Sequence, residues 1–409
     1  MKWADCMEKS TRGDRVIVAS DETGLWIKIS KECFELLDDA VKRGLSEEEL
    51  LKEFEAEEDR DYIKQLINKL DTVGVWDKPA DKSEPKIKQV YFMITHRCNL
   101  CCAHCSIAAE QSNGEDYLDT KRIVEAMERV IKLRPAQIAL SGGEPLVRKD
   151  YKVILEYLRR NYEGVITLMT NGTLINEDNV DFIVKNISNI DLSIDGIDEE
   201  TCSLIRGKGV FDKVISVVKM LQARGMNKIS LSMVFGSANY HLMKPFRELN
   251  ERLGTRAVPR AFSPIGRGKD LEKYFETVPE GQHVETLQDK LEDMVTAFSC
   301  KACRHEICID PHGDLYPCVL LTDGKYKLGN IFVDEDINAI NGNGRLEERD
   351  GYKHFIDLLP QRIEKCKDCD LNLFCWSCLH FVDYYKDSDL FEKRCLSKKS
   401  VLGEAIWGG

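Results

Sequence analysis

The stretch CNLCCAHC at residues 98–105 decides how the rest of the chain is read. Cys98, Cys102 and Cys105 stand in a CxxxCxxC spacing. Three thiolates this close can each hold one iron of a 4Fe–4S cube, because soft sulfur ligands select iron–sulfur clusters. A fourth iron is left without a protein ligand, open to a small chelating molecule. The cysteines follow VYFMIT (residues 90–95), an apolar, β-branched run that reads as a buried strand. They therefore lie on the loop leaving a strand's C-terminal end, which carries the chemistry in (β/α) barrels.

At 409 residues there is room for two or three domains and a large core. The N-terminal MKWADCMEKSTRGDR lacks the apolar core of a secretory signal, and no apolar run is long enough to span a membrane. A cytoplasmic location without membrane contact is expected. The net charge of −12 argues against a nucleic-acid partner but leaves room for a basic peptide. Sixteen cysteines are unusual, and with no secretion signal they are not read as a disulfide framework. They cluster instead: four in 98–105, four in 300–318 and five in 366–395, a distribution that points to metal binding. Cys6, Cys33 and Cys202 are ordinary small residues on this reading.

Residues 1–76 carry two strand-like runs, RVIVAS and LWIKIS, separated by DETG. A helix bearing Phe34, Leu37 and Val41 follows, then a capping box at Ser46 and Glu49. A third helix places Ile63, Leu66, Ile67, Leu70 and Val73 on one face, stops at Gly74, and leads into a final strand at Val75–Trp76. This describes a small winged-helix-like module, joined by a polar linker over 77–88. Beyond it, six strands alternate with helices across 89–270, implying parallel βαβ units and a partial (β/α)6 TIM-like barrel. The strand tips carry Cys98, Cys102 and Cys105; then Gly142, Gly143 and Glu144; then Asn171 with Gly172; then Ser193 and Asp195.

CxxxCxxC after the first strand and GGE after the second resemble the radical S-adenosylmethionine (SAM) superfamily over roughly residues 90–265. The resemblance implies that Cys98, Cys102 and Cys105 hold the catalytic cluster. Gly142 and Gly143 would let backbone approach the methionine end of SAM, with Glu144 accepting from its ammonium. Arg206 would pair with its carboxylate, Ser193 and Asp195, facing the same way, would hold ribose hydroxyls, and His104 and Asn171 would complete the pocket. A 5′-deoxyadenosyl radical made from SAM would then take a hydrogen from the substrate. A reductant such as flavodoxin or ferredoxin would supply the electron.

After a bridging region over 271–299, with a helix near 287–298, a second cysteine field begins. Cys300, Cys303, Cys308 and Cys318 surround a hairpin that turns at Gly313, and Cys366, Cys369, Cys375, Cys378 and Cys395 follow. CxxC pairs are common zinc ligands. Behind such a barrel, however, Gly313-x4-Cys318 and Cys366-xx-Cys369-x5-Cys375 are similar to the SPASM domain, here expected over 300–395 with a tail over 396–409. That domain implies two auxiliary 4Fe–4S clusters, three in all. The outer one would use Cys366, Cys369, Cys375 and Cys395; the inner one Cys318, Cys378, and Cys300 and/or Cys303. The spacing from Cys375 to Cys378 is one residue shorter than the family's. Cys308 stays a hairpin residue that could also ligate.

The N-terminal module resembles the recognition element that binds a leader peptide as an added strand in pathways to ribosomally made peptides. Together the parts resemble sactipeptide and ranthipeptide thioether synthases, which implies a precursor-peptide partner. Carbon–carbon crosslinking enzymes share these motifs. Sulfatase maturases that make formylglycine usually carry an aspartate where Val319 stands here, and rank lower. A plain iron–sulfur electron carrier would not need GGE, Ser193, Asp195 and Arg206.

Overall fold

The computed structural model describes residues 1–78, 86–271, 295–342, 345–376 and 378–408. The chain forms two compact units, one of residues 1–84, 281–301 and 356–409, the other of 85–280 and 302–355.

In the first unit, β1 (Met7–Arg12), β2 (Arg15–Ser20) and β3 (Trp26–Ser30) form an antiparallel meander in the order β1-β2-β3. α1 (Lys31–Lys42), α2 (Glu47–Leu51) and α3 (Glu57–Val73) follow. The capping box of Ser46 and Glu49 starts α2, and Gly74, at φ +85°, ends α3 in the left-handed conformation. Successive residues of β2 point to opposite faces, and both faces are covered. Val16 and Val18 pack with Phe34, Leu37, Leu66 and Leu70 of the helices. Ile17 and Ala19 pack instead on Leu371, Leu373 and Phe374, and on Leu402 and Ile406 of the helix Leu390–Trp407. Trp26 stands edge-on to Phe374 at 5.2 Å and donates its indole N–H to the Val295 carbonyl. Ser10 donates to the Asp370 carbonyl at 2.8 Å, and Arg12 pairs with the Asp370 carboxylate.

Two local expectations change. Residues 75–76 form no strand: Trp76 makes a single bridge to Trp3, with the two indoles stacked at 4.3 Å. β1, a polar run with one buried residue, Ser10, was not expected as a strand.

The second unit is built on β4 (Gln89–Met93), after which the cysteine loop holds a short ladder of β5 (Arg97–Cys98) with β6 (Glu110–Gln111). α4 (Thr120–Lys132), β7 (Gln137–Ser141), α5 (Tyr151–Asn161), β8 (Val165–Thr170), α6 (Val180–Asn186) and β9 (Asn189–Ser193) continue the alternation. α7 (Glu199–Arg206), α8 (Val210–Ala223), β10 (Ile229–Phe235), α9 (Met243–Leu253) and β11 (Arg256–Ala261) complete it. All six expected strands are present and parallel; α7 is an addition. Phe92, Ile138, Leu140, Ile166 and Leu192 are essentially inaccessible, as strands covered on both faces require.

The sheet does not stop at β4. β12 (Glu306–Ile309) pairs with β4 in parallel, then turns at Gly313 (φ +87°) into antiparallel β13 (Asp314–Tyr316) and β14 (Gly329–Asn330). The expected hairpin of the second cysteine field therefore extends the barrel sheet, which among the described residues has nine mixed strands in the order β11-β10-β9-β8-β7-β4-β12-β13-β14. Most of the expected bridge over 271–299, including its helix up to residue 294, lies outside the described residues, as do residues 79–85 of the linker. Among the described residues no helix is long and apolar enough to cross a membrane.

Candidate functional site

The tips of β4, β7, β8 and β9 converge on the cysteine loop. Each of its three cluster-spaced sulfurs faces a nitrogen donor. Cys98 Sγ accepts from the Leu100 N–H at 3.4 Å and from Asn171 Nδ2 at 3.8 Å. Cys102 Sγ lies 3.7 Å from Arg206 Nη1, and Cys105 Sγ accepts from the Ala109 N–H at 3.4 Å. Burial pushes the Cys98 thiol up to about 11 and raises Cys102 as well, against the pull of Arg206. Buried sulfurs with donors aimed at them become thiolates when a metal supplies the positive charge. This donor set fits an iron–sulfur cube held by one sulfur per iron. Among the described residues no three His, Cys, Asp or Glu side chains are gathered closely enough to hold one lone metal ion.

The GGE turn packs beneath that loop. A Cβ on Gly142 (φ +142°) would stand 2.3 Å from the Thr95 carbonyl oxygen, and one on Gly143 only 2.2 Å from that of Arg97. The Gly143 and Glu144 N–H groups donate to those same carbonyls at 2.9 and 2.8 Å. Both glycines thus serve the close approach of two backbones, β7's turn against the cysteine loop. Glu144 is wholly buried and accepts from Thr170 Oγ1 and the Asn171 N–H, both at 2.7 Å, and from the Leu146 N–H at 3.1 Å. Its carboxylate faces the barrel's own donors and ties the tips of β7 and β8 together; burial raises its pKa.

Asp195 is the electrostatic centre. It is 3% exposed, at φ +50°, and its carboxylate accepts from Arg206 at 2.6 Å and from the Val234 N–H at 2.6 Å, with His104 Nε2 at 2.8 Å. Burial alone would raise its pKa; Arg206 and His104 more than reverse this and hold the carboxyl well below the usual range. β9 ends at Ser193, whose hydroxyl lies 3.5 Å from that of Ser232. The left-handed turn at Asp195 breaks the strand alternation by which Ser193 and Asp195 were expected to face alike. Asn171 donates to Asn99 at 2.9 Å and accepts from Thr173.

Sequence reading missed an ion network below the loop. Arg97 is bound to Asp116 at 2.5 Å and to the Ser112 carbonyl at 2.7 Å. Arg148 donates to the carbonyls of Ile94 and Leu118 and to Asp150. These are scattered charges in the sequence, and only the fold brings them together.

In the second cysteine field, Cys366, Cys369, Cys375 and Cys395 line one small cavity with Lys365 and Lys399. Three come from the loop and Cys395 from the helix Leu390–Trp407. Burial pushes the Cys366 thiol up to about 11, with the other three sulfurs adding to it. Four sulfurs around one cavity fit a cube with four cysteine ligands. Cys303, Cys308 and Cys318 belong to the barrel unit, Cys300 and Cys378 to the other. Cys308 is fully buried opposite Tyr316, its thiol raised by burial and then by Cys318.

Comparison with known proteins agrees with this geometry. Residues 92–248 match the Radical SAM superfamily, and residues 300–370 match an iron–sulfur cluster-binding domain, SPASM; Cys375, Cys378 and Cys395 lie beyond that match. The chain is 26% identical over 262 residues to the mycofactocin maturase MftC of Mycolicibacterium smegmatis, covering 59% of this chain and 66% of that protein. It is 27% identical over 272 residues to the antilisterial bacteriocin subtilosin biosynthesis protein AlbA of Bacillus subtilis, covering 61% and 58%. The alignments thus span slightly under two thirds of these relatives. Streptococcus suis SuiB bound to precursor peptide SuiA shares the fold at a TM-score of 0.58 and 14% identity, over 95% of this chain and 97% of that one. The cysteine loop and GGE turn thus lie in a Radical SAM domain, and the hairpin at Gly313 lies in a SPASM iron–sulfur domain.

Proposed function

We propose that this protein is a peptide maturase that installs thioether bonds, from a cysteine sulfur to a carbon, in a ribosomally made precursor peptide. Its relatives' names, a maturase and a bacteriocin biosynthesis protein, support the substrate class. The observation that carries the reading is the first unit's architecture. Among the described residues β3 is paired on one side only, with β2, so its other edge can accept an added peptide strand. A leader held there would raise the local concentration of the core peptide at the barrel.

The chain's own residues divide the work. Cys98, Cys102 and Cys105 would hold the cluster, and Arg206, Asp195 and His104 would orient SAM beside it. Cys366, Cys369, Cys375 and Cys395 would hold the outer auxiliary cluster. With clusters and SAM bound, the site would supply radical chemistry able to take a hydrogen atom from the peptide. A flavodoxin or ferredoxin would serve as reductant. Forming each thioether removes two hydrogens from the peptide, so the mass of reacted precursor, before and after thiol alkylation, tests the proposal. Loss of two hydrogens with loss of one alkylatable thiol is the expected result. Loss of two hydrogens with every thiol retained would replace it with carbon–carbon crosslinking.

A further inference from the structure

Among the described residues the parallel strands end at β11, five places from β4 in the sheet, and the two are not paired with each other. The segment after β11 nevertheless reaches the loop that leaves β4. The Arg267 N–H donates to the Cys105 carbonyl at 2.9 Å. Its side chain donates from Nε to the Cys102 carbonyl at 3.0 Å and from Nη1 to the Ala109 carbonyl at 2.9 Å. One residue therefore grips three carbonyls spread across the cysteine loop, two of them belonging to cluster-spaced cysteines. The contact is close enough to require glycine beside it: a Cβ on Gly266 (φ +58°) would stand 2.3 Å from the Cys105 oxygen and 2.5 Å from that of Ser106.

We propose that Arg267 is a positioning residue that fixes the height and tilt of the cysteine loop, and so of the cluster, over the barrel mouth. Two properties of guanidinium serve this. Its planar fork holds two carbonyls at a fixed spacing, which the rotatable donors of an ammonium do not impose. Its fixed positive charge sits against the loop beside the Cys102 backbone, where it favours electron density on the cluster. The inference holds whichever bond the enzyme makes in its peptide.

Two variants separate the properties. Arg267→Lys keeps the charge and loses the fork; Arg267→Ala loses both. The holoenzyme is reduced anaerobically, and its electron paramagnetic resonance spectrum is recorded with and without SAM. The potential of the SAM-binding cluster is titrated, and peptide-free SAM cleavage is timed. Both variants are expected to give an altered SAM-dependent spectrum and cleavage slower by about a hundredfold, the scale of an ångström-sized misplacement. Only Arg267→Ala is expected to shift the potential clearly, to a more negative value. Wild-type spectra and cleavage in both variants would overturn the proposal. So would a lowered melting temperature with an unchanged spectrum, which marks a merely structural role.

Discussion

Asp195→Asn removes one charge from a buried pair and turns one of its two acceptor oxygens into a donor. Asparagine is isosteric and tolerates the positive φ of this position as aspartate does. The loss therefore reports the charge together with the acceptor that carries it. Arg206 and Asp195 meet at 2.6 Å with side chains 11% and 2% exposed. At an effective dielectric near 20 such a pair is worth about 4 kcal/mol, and removing one partner of a buried pair costs ~3–5 kcal/mol because the other charge is stranded. For a unit of this size that is a fall of roughly 6–20 °C in melting temperature, read by anaerobic thermal unfolding of the SAM-free protein. A loss under about 1 kcal/mol, the range of exposed ion pairs, would refute the assignment of Asp195 as the electrostatic anchor. Added SAM sharpens the test, because Arg206 cannot serve Asp195 and a ligand carboxylate equally. If the ligand's carboxylate takes Arg206, SAM raises the melting temperature of Asp195→Asn more than that of wild type. A smaller rise would mean that Asp195 itself is the main SAM contact. The pH dependence has a definite sign. The folded pKa lies below the ordinary value, so the pair's contribution is complete above pH ~4 and is lost only as pH falls through the folded value. No stability change from this group is expected between pH 6 and pH 8.

Gly143→Ala drives a methyl to 2.2 Å from the Arg97 carbonyl oxygen, beyond what ordinary overpacking at ~1–3 kcal/mol covers; failure to retain iron in the barrel cluster is expected, and normal loading would contradict the packing role. Cys98, Cys102 and Cys105 replaced together by Ala should lower bound iron from about twelve to about eight per chain; a fall from about four to none would mean that the second cysteine field carries no cubes. Trp26→Ala loses its ring pair with Phe374, worth ~1 kcal/mol, and part of the ~3–5 kcal/mol of a buried aromatic, so about 2–3 kcal/mol for this half-buried side chain; urea unfolding of the first unit reads it. Deleting residues 1–76 should lower iron in the Cys366–Cys395 field as well as weaken peptide turnover, because Ile17 and Ala19 leave that field's apolar backing; full iron retention with lost turnover would assign the module to leader binding alone.

The barrel was legible because its signal is local. Five of the six strands are short apolar runs followed by polar or glycine residues and a helix of period 3.6, so composition over ten residues suffices; β11, RAVPRA, is the exception. The cysteine spacing and GGE were legible for the same reason. Three things were not. β12 joins β4 across more than two hundred residues of sequence, and nothing in EICID says which edge it will extend. The roles of Arg97, Arg148 and Arg267 depend on carbonyls they meet only after folding, so each reads as a surface charge in the sequence. Asp195 was identified as a site residue, but strand alternation could not reveal the positive φ that turns it toward Arg206.

β2 shows how much one run can hold. RVIVAS has five consecutive buried residues, the pattern of a strand covered on both faces rather than one. The helices Lys31–Val73 account for one cover only. A second cover was therefore implied, though its source was unreadable: the loop 371–374 and the helix that carries Cys395. One sheet thus meets two neighbours. On one side it carries the β3 edge proposed to take a peptide strand. On the other it backs the segment between Cys369 and Cys375, with Trp26 of β3 itself touching Phe374. A module that merely tethered a leader would need no such contact, since local concentration rises with any linker. Sharing a core ties β3 to the outer cysteine cavity. The two are parts of one packed unit, which is why removing the first should disturb the second.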